Sequence, residues 1–333
     1  MHSPTTNLPL VRLSSVNPFL LELSRRQLDG GAILRKKGLP GQVPASADLF
    51  ASALAVYEIV EECAMTADDP YMGYKIGREM DITQWEPIAQ SVRDADTVSD
   101  LLRNFVVNSL VHSSSTNFFI KTEGERSTFG FTRIVVPAFQ PGQNDAFYLG
   151  FLGSLLEEAT ESSWDPTLVL ATISNPGLVP ASGHRIRVSQ GGHDGIAISF
   201  PTSWQFSQLN KSAFKVSDEQ VGALHVPRTL LDSVHLALRP HLHESDLNVE
   251  RAANICGYSK RRLSKKLREQ GTTIVKEIAT LRADYVREKL TESKMRIAEI
   301  GETVGFKDPT VFSRAFKNWA GQSPQEYRRI NRN

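Results

Sequence analysis

Two segments near the C-terminus, residues 252–267 and 300–316, repeat one pattern of basic and apolar side chains. Each contains a Gly-aromatic pair, and the two glycines, Gly257 and Gly305, lie 48 residues apart. With one extra residue in the second turn, three later positions align at an offset of 49: Leu263 with Phe312, Lys265 with Arg314, and Leu267 with Phe316. Lysine and arginine bind phosphate oxygens and the edges of bases. A short apolar helix, a glycine turn and a basic helix are typical of a helix-turn-helix, whose second helix enters the major groove of DNA.

The charge of the chain is divided unevenly along its length. The 333 residues carry a net charge of +1. From residue 246 to the end there are 19 Lys and Arg against 11 Asp and Glu, so this part is +8 and the first 245 residues are −7. A basic module neutralises phosphate, whereas an acidic domain is repelled by it. The charges therefore predict that the C-terminal part binds nucleic acid and that the rest does not lie along it.

Helix caps mark the elements that must position these basic side chains. Asn248 and Ser259 are suitable N-caps for two successive helices, with Gly257 between them. In the second helix Leu263 and Leu267 lie one turn apart and face inward. The basic residues of that helix are therefore predicted to face solvent or DNA.

The sequence marks the helix boundaries of the second unit more clearly than those of the first. Asp308 supplies an N-cap, and Pro309 takes the first helical position, where a missing amide hydrogen costs nothing. Three aromatic residues are predicted to form the inner face of this helix: Phe312, Phe316 and Trp319. Gly321 ends it, and residues 323–326 form a capping box for a last short helix. Side chains of that helix are expected to pack back or to approach phosphate: Tyr327 for packing, and Arg328, Arg329 and Arg332 for phosphate.

Apolar residues between the two units recur at near-helical spacing and predict one connecting helix: Ile274, Ile278, Leu281, Tyr285 and Leu290. A rigid helix would hold the two units at a fixed separation. That separation matters because successive major-groove segments on one face of DNA lie about 34 Å apart. An ordinary core helix is compatible with the same role.

Residues 246–330 resemble the AraC/XylS family of bacterial transcription regulators. The segments that carry the resemblance occur in order at the expected spacing: Gly257-Tyr258-Ser259, Gly271-Thr272-Thr273, Ile297-Ala298-Glu299-Ile300, Gly305-Phe306-Lys307-Asp308, and residues 312–317 and 321–328. The resemblance implies an all-α C-terminal domain in which a linker helix joins two helix-turn-helix units. Such a domain reads consecutive major grooves of promoter DNA.

The resemblance also implies which side chains touch DNA. Carried over by position, six residues are candidates for reading bases: Arg261, Ser264, Lys265, Thr310, Val311 and Arg314. Basic residues around them are expected to contact phosphates: Lys260, Arg262, Lys266, Arg268, Lys317 and Arg328. Because arginine pairs with guanine more often than any other side chain does, Arg261 and Arg314 are the foremost of these candidates.

Two positions depart from the family pattern. Gly301 stands where the family usually has alanine inside a helix, at a cost of roughly 1 kcal/mol in helix propensity. Lys307 replaces the serine that is common after the Gly-Phe pair, so contacts there are expected to shift. Neither departure changes the assignment.

The first two-thirds of the chain mixes helix and strand signals. Helices are predicted over residues 47–65, 97–113 and 145–160. Strand-like composition bounded by Gly, Pro and Asn occurs over residues 117–120, 127–136, 168–173 and 195–200. An α+β N-terminal domain followed by an all-α C-terminal domain is the predicted fold. The expected divisions are a flexible segment (1–16), the α+β domain (17–215), a linker and leading helix (216–245, the helix over 228–243) and the DNA-binding domain (246–333).

Residues 68–73 after a helix, with a strand over 196–200, resemble the effector-binding or dimerisation domain of one branch of the same family. That resemblance implies an unidentified small-molecule effector, a homodimer, or both, with the ligand biasing a transition between DNA-bound states. The alternative is a DNA-binding regulator whose N-terminal domain only dimerises or binds a protein partner. Activation through contact with RNA polymerase is the role that the family favours.

The sequence assigns no effector site. An aromatic-rich set either lines a pocket or, as strand phenylalanines more often do, fills the core: Phe118, Phe119, Phe129, Phe131, Phe147, Tyr148 and Phe151. Arg133 has the chemistry to clamp a carboxylate or phosphate. An outward-facing or edge position is the preferred interpretation for it.

Several functional classes are not indicated by the sequence. There is no apolar run of about 18 residues and no signal peptide, so we expect a cytoplasmic protein without a membrane contact. Cys63 and Cys256 are too few for a disulfide framework and are not spaced for zinc. His241 and His243 are expected to be surface residues, and no metal or other cofactor is predicted. No catalytic constellation supports an enzyme.

Overall fold

The structure is a computed structural model that describes residues 8–43, 49–81, 86–110, 112–160, 163–181, 185–209 and 229–331. The N-terminal domain contains these elements: β1 (Leu10–Arg12), α1 (Asn17–Arg25), α2 (Gly30–Lys36), β2 (Phe50–Ser52), α3 (Ala53–Thr66), α4 (Met72–Glu79), α5 (Glu86–Arg93), α6 (Val98–Ser109), β3 (Thr116–Glu123), β4 (Arg126–Arg133), α7 (Gly142–Thr160), β5 (Leu170–Ile173), β6 (Arg187–Gln190) and β7 (Gly195–Pro201). The C-terminal part is helical: α8 (Leu230–Leu238), α9 (Val249–Ile255), α10 (Lys260–Glu269), α11 (Ile274–Glu292), α12 (Ile297–Thr303), α13 (Pro309–Ala320) and α14 (Pro324–Asn331). The predicted fold class is confirmed.

A five-stranded sheet with the order β3-β4-β7-β5-β6 forms the centre of the N-terminal domain. Neighbouring strands are antiparallel except β5 and β6, which are parallel. Alternate residues of β4 and β7 point to one face, where they are buried against α6 and α7: Phe129, Phe131, Ile196, Ile198 and Phe200. This alternation is what a sheet with one covered face requires. For the described members of the aromatic-rich set, the core interpretation is correct at Phe129, Phe131, Phe147 and Phe151.

Helix α7 is buried along most of its length and lies very close to α4. A Cβ atom at Gly77 would lie 2.1 Å from the carbonyl oxygen of Phe147, and one at Gly150 would lie 2.4 Å from that of Tyr74. Only glycine permits this approach of two helix backbones.

The expected flexible segment over residues 1–16 is wrong for residues 8–16. Strand β1 pairs with β2, and Leu8, Leu10, Leu13 and Val16 are fully buried. The segment is ordered because its apolar side chains contact helices that lie far away in sequence. Residues 1–7 lie outside the described residues.

The predicted helix boundaries shift for local reasons. The helix expected over residues 47–65 begins at Ala53, because Ser52 is its N-cap and residues 50–52 pair as strand β2. Strands β1, β2 and β6 are only three or four residues long and left no periodic signal. Arg228, the expected start of the leading helix, lies outside the described residues; the described part of that helix is α8, and residues 239–241 follow it as a 3-10 turn.

Arg133 corrects the expectation of an outward-facing side chain. The side chains of Arg133 and Asp145 are both 0% exposed and form an ion pair. The Arg133 guanidinium also donates to the carbonyl oxygen of His193 at 3.1 Å, and Asp145 Oδ2 accepts from the Ser174 amide at 3.0 Å. The pair therefore joins the end of β4, the start of α7 and the loops around β5 and β7. Asp145 lies 12 residues after Arg133 in a different element, so helix or strand periodicity could not predict that the two side chains would pair.

Glu61 on α3 lies near this ion pair and titrates near neutrality. Burial raises the pKa of Glu61 to about 7, the amide of Gln143 at 2.7 Å from Oε1 opposes the rise, and the negative charge of Asp145 adds to it. Because the folded-state pKa exceeds the unfolded value of 4.5, folding favours the protonated form. The stability contributed by Glu61 is therefore fully present at acidic pH and is lost as pH rises through 7.

Glu61→Gln is expected to flatten the fall of the urea unfolding midpoint between about pH 5 and pH 7, because the amide stays neutral throughout. The wild-type chain, measured in the same buffers, supplies the reference slope. A variant slope equal to that of the wild type would contradict the assignment.

Candidate DNA interface

Two small cores support the C-terminal helices. The first unit, α8 to the start of α11, shares one hydrophobic cluster that includes Leu263, Leu267 and Ile278. The second unit packs α11 to α14 around Phe312 and Phe316, both 0% exposed. Helix α11 contributes to both clusters, as the predicted connecting helix should. Its 19 residues therefore link the two units through continuous packing.

Local capping sets the direction of the first basic helix, α10. Gly257 has a φ of +70°, which a residue with a side chain adopts only with strain, and this reverses the chain after α9. The hydroxyl of Ser259 then accepts the amide of Arg262 at 3.3 Å and caps α10. Leu263 and Leu267 are buried, so the orientation of α10 is determined by its inner face.

The outer face of α10 is basic. At about 100° per residue, Arg261, Lys265 and Arg268 point away from Leu263 and Leu267. All three are exposed. On one flank, two more basic side chains lie over the ring of Tyr258: Arg262 at 4.6 Å and Lys266 at 5.9 Å from its centroid. The aromatic residue of the turn thus supports two of the candidate phosphate contacts.

Helix α13 is arranged in the same way. The Asp308 carboxylate accepts the amides of Thr310 at 2.7 Å and Val311 at 3.3 Å. These hydrogen bonds, the one to Thr310 first, lower the pKa of Asp308. Gly321, at a φ of +78°, ends the helix in the left-handed conformation. Thr310, Arg314 and Lys317 are exposed on the outer face.

The structure brings the candidates together as two equivalent faces, which we call the reading faces of α10 and α13. The offset of 49 pairs the outer positions: Arg261 with Thr310, Ser264 with Ser313, Lys265 with Arg314, and Arg268 with Lys317. Ser313 is not among the candidates predicted from the sequence, although the offset of 49 places it opposite Ser264. The base-reading candidates are exposed, apart from the half-buried Ser264, while the N-terminal domain is in place. The described part of the N-terminal domain therefore does not cover the reading faces.

Arg328 lies apart from these faces. Its guanidinium donates to the carbonyl oxygens of Leu290 at 3.3 Å and Met295 at 2.8 Å. These contacts hold α14 against the end of α11. A phosphate contact for Arg328 stays a prediction, and Arg332 lies outside the described residues.

Gly301 is explained by packing rather than by helix propensity. A Cβ atom at this position would lie 2.9 Å from Cγ and 3.0 Å from Cδ1 of Phe312. Alanine would gain about 1 kcal/mol of propensity. Overpacking costs about 1–3 kcal/mol. The phenylalanine therefore occupies the space that an alanine methyl group would need.

Gly301→Ala is accordingly expected to leave the free energy of unfolding unchanged or to lower it by up to about 2 kcal/mol. Urea unfolding measures the change. In a Phe312→Ala background, which lacks the Cγ and Cδ1 atoms that the new methyl group would meet, the same substitution is expected to be stabilising. A gain of stability from Gly301→Ala alone would contradict this account.

The N-terminal domain contacts the C-terminal helices at a junction centred on Glu244. Arg251 of α9 donates to Glu244 at 2.9 and 3.0 Å and to the carbonyl oxygen of Lys37 at 3.4 Å. Gly38, beside this junction, has a φ of +75°, a backbone conformation that favours glycine. His241, expected on the surface, is 3% exposed and lies 2.7 Å from Glu244. Glu244, which precedes α9, therefore pairs with a buried histidine as well as with Arg251.

An apolar contact runs beside that junction. Leu8, Leu10 and Phe50 of the N-terminal domain share a cluster with Leu230 and Val234 of α8. Ser52 lies against the turn of the first unit, its Cβ 3.5 Å from where a Cβ of Gly257 would be. The first unit is therefore packed against the N-terminal domain as well as against its own helices.

Within the described ranges, no group of three or more His, Cys, Asp or Glu side chains could hold a metal ion. The same ranges contain no helix with the length and apolar character needed to span a bilayer.

Two family models match the chain. A helix-turn-helix domain matches residues 230–330, and the N-terminal arabinose-binding domain of the AraC transcription regulator matches residues 28–184. The first match begins at α8, the first helix of the first unit.

Curated relatives match part of the chain. The MmsAB operon regulatory protein of Pseudomonas aeruginosa is 34% identical over 99 residues, which are 29% of this chain and 32% of that protein. The arabinose operon regulatory protein of Escherichia coli K12 is 35% identical over 89 residues, 26% of this chain and 30% of the relative. The multiple antibiotic resistance protein MarA of the same organism is 32% identical over 89 residues, 26% of this chain and 70% of the relative. The chain thus spans about a third of the length of the first of these relatives.

Proposed function

Because this chain belongs to the AraC family of DNA-binding transcription regulators, we propose that it binds promoter DNA through α10 and α13 and activates transcription under the control of a small-molecule effector. The observation that carries the DNA part is the pair of equivalent reading faces. Both are capped, basic and exposed, and one helix packs against both units. Two such helices on one frame suit successive major-groove segments.

The lysine and arginine side chains around the reading faces would bind phosphates. Arg261 and Arg314 would read the edges of DNA bases. Promoter binding places the protein in the cytoplasm, and contact with RNA polymerase would convert binding into activation. The match of residues 28–184 to an arabinose-binding domain supports an effector in the N-terminal domain. The same domain would also provide the surface for a homodimer.

Fluorescence anisotropy tests the DNA part. The full chain is titrated against the DNA upstream of its own gene and against a scrambled duplex, at about 150 mM salt because lower salt inflates nonspecific binding. A strong preference for the upstream DNA is expected. Equal binding to both duplexes, and to duplexes selected from a random pool, would overturn the proposal.

A separate measurement tests effector control. Candidate small molecules are added to the full chain, and the melting temperature and the affinity for the preferred duplex are recorded. An effector that binds the folded state raises the melting temperature, and the rise grows with the logarithm of the ligand concentration relative to Kd once the site is nearly saturated. Saturable protein binding or dimerisation without such a ligand would favour a domain that only assembles.

A further inference from the structure

The two reading helices differ in chemistry although they share a geometry. Helix α10 carries six Lys and Arg and is capped by the neutral Ser259. Helix α13 carries only Arg314 and Lys317 and is capped by the Asp308 carboxylate. A carboxylate at this position offsets the positive end of the helix and repels phosphate. The start of α13 is therefore suited to base edges rather than to phosphate, whereas the more basic α10 is suited to phosphate as well as to base edges.

An apolar side chain stands at this start of α13. Val311 is 50% exposed and follows Thr310 on the outside of the helix. Its counterpart at the offset of 49 is Arg262, which lies over Tyr258 and serves the charged flank of α10. A half-exposed valine contributes little to the core of the second unit. In the major groove, the one apolar group on a base edge is the C5-methyl of thymine.

We propose that Val311 reads a thymine, with its methyl groups against the C5-methyl of one T·A pair in the DNA stretch bound by the second unit. This proposal rests on the proposed function. It makes Val311 a specificity-determining residue that discriminates by apolar contact rather than by hydrogen bonding. Arg314, one turn further along the same face, is left to read a neighbouring pair.

Replacement of thymine by deoxyuridine tests the proposal, because it removes only the methyl group. Duplexes that the full chain selects from a random pool are synthesised with each thymine replaced singly, and binding is measured by anisotropy at about 150 mM salt. One replacement is expected to weaken wild-type binding roughly threefold to tenfold, as loss of a buried methyl contact does. Val311→Ala is expected to bind the thymine and uracil duplexes equally at that position. Since the side chain is exposed and alanine favours helix, the variant folds.

Val275→Ala is the matched control. Val275 is 62% exposed in the first turn of α11 and belongs to neither α10 nor α13, so this variant should keep the wild-type sensitivity to uracil. The proposal is overturned if Val311→Ala retains the penalty at every thymine. It is also overturned if wild-type protein prefers selected over scrambled DNA yet is insensitive to uracil. Equal binding to selected and scrambled DNA would overturn the proposed function as well.

Discussion

Replacing Asp145 with alanine is expected to lower the free energy of unfolding of the N-terminal domain by about 3–5 kcal/mol. The substitution leaves the Arg133 guanidinium, whose side chain is 0% exposed, without its counter-charge. It also removes the acceptor of the Ser174 amide. An isolated charge in a low-dielectric interior costs far more than the pair contributes when intact. Urea unfolding followed by circular dichroism measures the loss.

Two controls separate burial from charge. Asp284 forms an ion pair with Arg287 at 2.7 Å, but its side chain is 61% exposed. Asp284→Ala should change stability very little, because water screens and replaces such a contact. The double variant Asp145→Ala, Arg133→Met removes both buried charges and should recover much of the loss. Equal changes in the free energy of unfolding for Asp145→Ala and Asp284→Ala would contradict a stabilising role for the buried ion pair.

Arg314→Ala is expected to produce the largest loss of specific DNA binding from a single substitution. Truncating an arginine that reads a base edge costs about 1–3 kcal/mol, or roughly 5-fold to 150-fold in affinity. Arg314 lies on the exposed face of α13, opposite the buried Phe312 and Phe316, so its loss does not disturb the core. Anisotropy with the preferred and the scrambled duplex measures the change. The loss should be confined to the preferred duplex.

Lys317→Ala provides the comparison on the same helix. A lysine that contacts phosphate weakens binding to every sequence, and its removal reduces the slope of log affinity against log salt by about 0.9. Arg314→Ala should therefore weaken binding to the preferred duplex only, whereas Lys317→Ala should weaken binding to both duplexes and lower the salt dependence. Uniform weakening by Arg314→Ala, with the same change of slope, would make Arg314 a phosphate contact instead.

The C-terminal part could be predicted from the sequence because its signals are local. Asn248, Ser259 and Asp308 each accept amides two or three residues further along, and Gly321 ends α13 as expected. Capping and helical periodicity depend on residues within one turn of each other, so the chain displays them directly. The repeat at an offset of 49 then placed equivalent side chains on equivalent faces.

Only the tertiary structure decided which residues far apart in the chain share an environment. Arg133 has the chemistry to hold an anion, but folding buries it against Asp145. Leu10 and Phe50 complete a core with Leu230 of α8, and Arg251 donates to the carbonyl oxygen of Lys37, 214 residues away. Such contacts leave no periodic trace, because each depends on packing between elements rather than on spacing within one. The physical reason is that burial and pairing are properties of the folded chain, whereas caps and periodicity are properties of its segments.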